Sequence, residues 1–123
     1  MTRPMNLAEF KSKGVCVDLA PIRKTITWSH PDEHGQQITD TFDVWVRRLS
    51  FGAVDRLSKT EDNDRSRNAE LIAASIRLGE HAEETLPYDV AYSLHTSLAI
   101  ELVRVVGEVN RLTPVEEVDG PKD

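Results

Sequence analysis

The stretch Pro87 to Asn110, PYDVAYSLHTSLAIELVRVVGEVN, decides the fold because it is the longest segment with a regular apolar pattern. At about 3.6 residues per turn, its apolar side chains form one stripe around half of a helix. The stripe consists of Ala91, Leu94, Leu98, Leu102, Val105 and Val109, widened by Ala99, Val103 and Val106. Pro87 suits the first helical position, where its missing N–H is not needed. The pattern predicts one long helix that must pack against a second helix and a sheet or another subunit.

Upstream of this helix, the sequence predicts a β-hairpin. Ile22 to Ser29 is rich in β-branched residues, and Ile38 to Leu49 alternates apolar with polar side chains. Between them, His30 to Gly35 combines a proline with a glycine, which is typical of a turn. The alternation places Ile38, Phe42, Val44 and Val46 on a buried face. It leaves Trp45 and Arg47 on a face that is mostly exposed to solvent.

Shorter signals complete the expected secondary structure. Asn6 and Glu9 have the spacing of a capping box, which predicts a short helix before Lys13. Val15 to Leu19 alternates and predicts a short strand. Ser50 is expected to cap one or two helical turns. Ala69 to Leu78 predicts a second helix that ends near Gly79.

These elements predict an α+β fold in which an N-terminal antiparallel β-hairpin or small sheet packs on a C-terminal antiparallel helix pair. The chain has 123 residues, which fits one domain with one modest core. We expect that domain to cover residues 1–112. Residues 113–123 contain two prolines, a glycine and mostly acidic side chains, so we expect them to form a disordered acidic tail.

Bulk composition limits the function classes. The net charge of −6 and the pI of about 5.2 argue against nucleic-acid binding, because no basic excess is present to neutralise phosphates. No apolar run approaches the roughly 20 residues that span a bilayer, so we expect no membrane association. Cys16 is the only cysteine, which favours a reducing cytoplasm.

The candidate catalytic and metal-binding residues have simpler interpretations. His30 and His34 have a spacing that some metal sites use, but a polar turn explains them and no third ligand is evident. His95 falls within the apolar arc of the long helix, where a hydrogen-bonded packing role is expected. Cys16 on a predicted strand fits a packing role better than that of a nucleophile. We therefore expect no enzyme, no cofactor and no metal.

The candidate binding residues are apolar, aromatic or basic side chains on two elements. Trp45, Arg47 and Arg48 lie at the end of the return strand, and Trp and Arg side chains are common interface anchors. The alternative, of equal weight, is a Trp45 covered by the N-terminal segment. On the long helix, the candidate protein-binding residues are Leu98, Leu102 and Val106.

Three stretches resemble the tail assembly chaperones of long-tailed bacteriophages. They are FDVWVRRLSFG at 42–52, RNAELIAASIRLGE at 67–80, and the closing run that ends in VN at 109–110. Members of that family often show a V-R-R-L-S strand end, here Val46 to Ser50, and an A-x-L-I-A-x-x-I helix, here Ala69 to Ile76. The likeness covers roughly Phe42 to Asn110.

The resemblance implies a function without catalytic residues. Such a chaperone coats the long helical tape measure protein before tail tube subunits polymerise around it, and it is absent from the mature virion. The implied partners are the tape measure protein, the tail tube protein and further copies of the same chain, in the host bacterial cytoplasm. The implied longer form, made by translational frameshifting, would extend the chain at its acidic tail.

Two other function classes remain open from the sequence. One is a small phage or bacterial adaptor, such as a head–tail completion protein or an antitoxin-like regulator, which would stay in a stable final complex. The other is an enzyme that holds a metal at the His30 and His34 turn.

Overall fold

The computed structural model describes residues 2–59 and 65–111, and these form an α+β fold, as predicted. One four-stranded antiparallel sheet has the strand order β1-β2-β3-β4. In chain order the elements are α1 (Leu7–Ser12), β1 (Ile22–Pro31), β2 (Gln37–Val46), α2 (Phe51–Ser58), α3 (Arg67–Ser75), β3 (Ile76–Leu78), β4 (Glu84–Thr85), α4 (Tyr88–Tyr92) and α5 (Thr96–Asn110).

The predicted hairpin is confirmed. Strands β1 and β2 pair over their full lengths, with Ile22 opposite Val46 and Pro31 opposite Gln37. The turn closes through a bond from the Gly35 amide to the Asp32 carbonyl at 3.0 Å. Gly35 has a φ of 82°, which a glycine adopts without strain. The turn chemistry therefore sets the register that the alternation requires.

The core lies between one face of the sheet and the helices. Helix α5 packs on β1 and β2, and α3 packs against both α4 and α5. The buried side chains of this cluster are Ile26, Val44, Val46, Ala69, Ile72, Ile76, Leu86, Ala91, Leu102, Val105 and Val106. The apolar stripe of the C-terminal segment thus meets the apolar face of the hairpin, as the two patterns predict.

The prediction of one helix from Pro87 to Asn110 is wrong, because the segment forms two helices. Helix α4 ends at Tyr92, and α5 begins at Thr96 with His95 as its N-cap. Pro87 is the N-cap of α4 and precedes its first helical residue. The break lets α4 bury Ala91 while α5 lies along the sheet. His95 is consequently exposed at a helix end, with its ring 5.4 Å from that of Trp28, so it is not the packing residue within the apolar arc that was predicted.

The second predicted helix is three residues too long. Helix α3 ends at Ser75, and the next three residues form β3, in which Ile76 pairs with Val46 of β2. This pairing leaves Ile76 fully buried, which a helix extending away from the sheet would not achieve. Strand β4, within the connector that follows, was not predicted.

The N-terminal segment differs in part from expectation. Asn6 caps α1, and the reciprocal bonds with Glu9 confirm the capping box. No residue of α1 is buried. Residues 15–19 form no strand, and Cys16 is exposed, so its predicted packing role is wrong. Ser50 caps α2 as predicted. The predicted tail over residues 113–123 lies outside the described residues, and a single domain over 1–112 stays a prediction.

Part of the hairpin extends beyond the rest of the sheet. Among the described residues, β2 pairs with β3 only through Trp45 and Val46. Residues 26–42, named here the distal ribbon, are therefore a two-stranded segment with a turn at its end. Such a ribbon is marginally stable in water unless something packs on it.

Candidate protein-binding surfaces

Trp45 is held within the outer face of the sheet and is half-buried. Its indole Nε1 donates a hydrogen bond of 2.8 Å to the Gly79 carbonyl, and the Arg23 guanidinium lies 5.8 Å from its ring centre. Arg23 also bonds the Asp43 carboxylate at 2.7 Å. The turn after β3 and the Arg23 side chain therefore lie against the ring.

The two basic residues that follow Trp45 are both half-buried. The Arg47 guanidinium donates to the Ala74 carbonyl at 3.3 Å, near the C-terminus of α3. Arg77 donates to the carbonyls of Ala73 and Ala74. Burial, and secondarily the nearby Arg47 charge, lower the pKa of Arg77. Arg47 is thus engaged with the α3 end, where a cation is favourable, whereas Arg48 lies beside it.

The three candidate residues on α5 have different environments. Leu98 is half-buried at the edge of the core. Leu102 and Val106 are buried against the sheet and offer no surface in this fold. Their role in protein binding stays a prediction that would require α5 to leave the sheet. The face of α5 that borders solvent is the neighbouring one.

An apolar groove runs between α3, α4 and α5 and is named here the helical groove. It encloses about 360 Å³. Its floor and walls include the apolar side chains Ala69, Ile72, Ala99 and Val103. Two large residues stand at its rim, with 63% of Tyr92 and 60% of Ile100 exposed. Exposed apolar side chains around an open groove are typical of a protein-binding site.

The α4 wall of the helical groove is held by its aromatic residues. The Tyr88 hydroxyl accepts a hydrogen bond of 2.9 Å from the Ser66 amide at the start of α3. Arg65 lies over the Tyr88 ring at 3.8 Å, and Tyr92 stacks on Tyr88 with ring centres 5.8 Å apart. This chain of contacts connects Tyr92 through Tyr88 to the start of α3. Neither Tyr92 nor Ile100 was predicted as a binding residue, because a single continuous helix would not form this groove.

The two histidines considered for a metal site, His30 and His34, have different environments. His30 stacks on Trp28 at 3.7 Å, and its Nε2 lies 2.7 Å from an Asp40 carboxylate oxygen. The Trp28 indole donates to the Ser97 hydroxyl at 2.8 Å, which ties the distal ribbon to α5. His34 is exposed at the turn. Across residues 2–59 and 65–111, no three His, Cys, Asp or Glu side chains are grouped to hold a metal ion.

In the same ranges, no helix is long and apolar enough to cross a membrane. No curated protein matches the chain, and no solved structure does. One family model does match, over residues 8–110, and its description is phage tail assembly chaperone. The match includes both the β-hairpin and the helices that form the helical groove. The chain therefore belongs to the phage tail assembly chaperones.

Proposed function

We propose that this tail assembly chaperone binds apolar, helical segments of the tape measure protein in the helical groove. The observation that carries the proposal is the exposure of Tyr92 and Ile100 beside an apolar floor. Leaving such side chains in water is unfavourable, and a partner that covers them gains free energy. The proposed role is to keep a long, aggregation-prone client soluble before it is enclosed.

The shape of the helical groove favours a helix as its occupant. The residues of α5 that line it are Thr96, Ala99, Ile100 and Val103, which have the i, i+3, i+4 and i+7 spacing of one helix face. An amphipathic partner helix can lay its own apolar stripe along such a face. The small Ala69 and Ala99 side chains leave space for larger client residues.

We further propose that the outer sheet face recruits the tail tube protein through Trp45, Arg47 and Arg48. A depression of about 440 Å³ there is lined by Trp45 with charged neighbours, including Glu80. This face is opposite the one covered by α5, so two partners can be held together. The proposed site of action is the host cytoplasm during tail assembly, outside the mature virion.

The test is a pull-down of the tagged chain from cells that carry its native gene cluster. We expect mass spectrometry to recover a very long helical protein and the tube subunit with the wild-type chain. Ile100→Ser with Tyr92→Ser should reduce recovery of the long protein at least tenfold, since buried interface anchors are commonly worth that much. Recovery of the tube subunit should fall with Glu80→Lys.

Phe51→Ser is the matched control for the groove variants. Phe51 is a large exposed apolar residue on α2, outside the helical groove, so its replacement should leave recovery unchanged. Equal recovery by the groove variants and the control would contradict the proposed site. Presence of the chain in purified virions would favour the alternative, a structural adaptor such as a head–tail completion protein.

A further inference from the structure

The distal ribbon presents a strip of partly exposed apolar side chains on the face of the sheet that α5 packs against. Ile38 and Phe42 point to the same face of β2, on either side of Asp40, and are 39% and 36% exposed. On the neighbouring strand, Trp28 and His30 stack on that face. The strip continues the apolar face of the sheet past the end of the helical layer. A short amphipathic helix could pack on it.

Helix α1 has exposed apolar side chains and no buried residue. Leu7 and Phe10 are spaced i, i+3 on one side of it, with 70% and 51% exposed. The capping box and the Arg3–Glu9 ion pair of 2.7 Å preform the helix, which lowers the ordering cost of docking it. Its exposed apolar side is short and fits the length of the strip.

The charges of the two surfaces are complementary. The distal ribbon carries Asp32, Glu33 and Asp40 and no Lys or Arg, and of these three acids Asp40 already contacts His30. Residues 2–13, the N-terminal arm, carry Arg3, Lys11 and Lys13 against the single acid Glu9, which Arg3 pairs. Lys11 follows Leu7 by one helical turn, next to the apolar side. Opposite charges around an apolar contact favour encounter and fix its orientation.

The arm of the same chain is poorly placed to reach this strip. Phe42 lies opposite Ile26, about 13 Å along β1 from Ile22, but Ile38 lies opposite His30, about 26 Å away, and an arm that covers the strip must reach both. The linker from Lys13 to Pro21 spans about 30 Å only when fully extended. It contains a left-handed bend at Gly14 and a hydrogen-bonded turn at Asp18, which shorten it. An arm from another molecule has no such limit.

We propose that α1 of a second copy of this chain docks on the strip of Ile38 and Phe42, so that the N-terminal arm links chaperone molecules. Leu7 and Phe10 cover the two strip residues, and Lys11 and Lys13 lie near the carboxylates of the ribbon. None of the residues named for this contact lines the helical groove. The proposal is therefore independent of the client proposed above.

The test is sedimentation velocity of the purified full-length chain over a wide concentration range, without any client. We expect concentration-dependent self-association of the wild type, weakened by salt because charges contribute. Leu7→Ser with Phe10→Ser, and separately Ile38→Thr with Phe42→Thr, should each raise the dissociation constant by roughly a hundredfold, about tenfold per lost anchor. Circular dichroism should show that both variants remain folded.

Mixing the two variants gives the decisive result. One still has an intact arm and the other an intact strip, so the mixture should form a one-to-one heterodimer at concentrations where each weakened variant alone is monomeric. Leu19→Ser is the control, since Leu19 is highly exposed but outside α1. A wild type that is monomeric throughout, arm variants that associate like the wild type, or a mixture that stays monomeric would each overturn the proposal.

Discussion

Asn110, the last residue of α5, accepts a hydrogen bond of 2.6 Å from the backbone amide of Leu49, which lies 61 positions earlier. The same side chain donates to the carbonyls of Arg47 and Val106, each at 3.1 Å. One amide group thus fastens the end of α5 to the segment that leaves β2. The asparagine of the V-N pair that ends α5 has this structural role.

We expect Asn110→Ala to lower the free energy of unfolding by about 1–3 kcal/mol, because partly buried backbone groups at Leu49 and Arg47 lose their partner. Asn110→Asp keeps the acceptor for the Leu49 amide, but an ionised carboxylate cannot donate to the Arg47 carbonyl. A protonated carboxyl group can donate, so the loss of stability in this variant should be smaller at low pH than at neutral pH. Urea unfolding measures both. Equal stability of the alanine variant and the wild type would contradict this role.

Replacement of Ser75 should raise, rather than lower, the free energy of unfolding. Its hydroxyl is fully buried, and among the described residues it has no hydrogen-bond partner. Removing an unsatisfied buried hydroxyl should stabilise the protein, so Ser75→Ala is expected to gain about 1 kcal/mol. Thermal unfolding of the two proteins tests this. Ser66→Ala is the contrast, since the Ser66 hydroxyl caps α3 and its loss should cost about 1 kcal/mol.

Gly79 should tolerate alanine less well than Gly35. Both have positive φ, at 92° and 82°, so each substitution carries a backbone cost of about 1–2 kcal/mol. At Gly79 a Cβ would also lie 2.6 Å from the Glu83 carboxylate, whereas space is open at Gly35. Displacing Glu83 breaks its bond with the His81 amide. Chemical unfolding should therefore show the larger loss for Gly79→Ala, and an equal loss would contradict the crowding.

Asp43 links stability to pH. The Thr25 hydroxyl, and next the Arg23 guanidinium, hold the pKa of Asp43 below its usual range. A depressed pKa in the folded state stabilises the protein above the unfolded pKa of about 3.9, and this contribution disappears as pH falls through the folded value. Asp43→Asn should thus be less stable than the wild type at neutral pH and equal to it in acid.

The direct check is an NMR titration of the Asp43 carboxyl group. Thr25→Ala removes the larger of the two causes and should raise the pKa of Asp43 toward its ordinary value. An unchanged titration in that variant would show that the hydroxyl is not responsible.

Local patterns predicted the elements whose own residues determine them. The hairpin followed from alternation and the Asp32–Gly35 turn, and the caps at Asn6 and Ser50 followed from residue type. Ile76 to Leu78 was assigned to a helix because its pairing partner, β2, lies 30 residues away. Such tertiary contacts override propensity, and periodicity within one segment cannot reveal them.

The candidate surfaces were predictable to a smaller extent. Trp45 was recognised as an unusual residue, but its bond to Gly79 depends on a turn that was not predicted. The helical groove exists because the chain bends between Tyr92 and Thr96, and apolar periodicity runs across that bend without interruption. The polar cluster from Ser93 to Ser97 was the available signal for it.

The brevity of α4 has a consequence for recognition. A helix of five residues does not persist by itself, so this wall of the groove stands only while Tyr88 and Ala91 hold it against α3. Its amides should therefore exchange with solvent through a small local opening, well below the cost of global unfolding. Because its local stability is low, α4 can shift to accept apolar residues of different sizes. One groove would then serve many unlike segments along a single long partner.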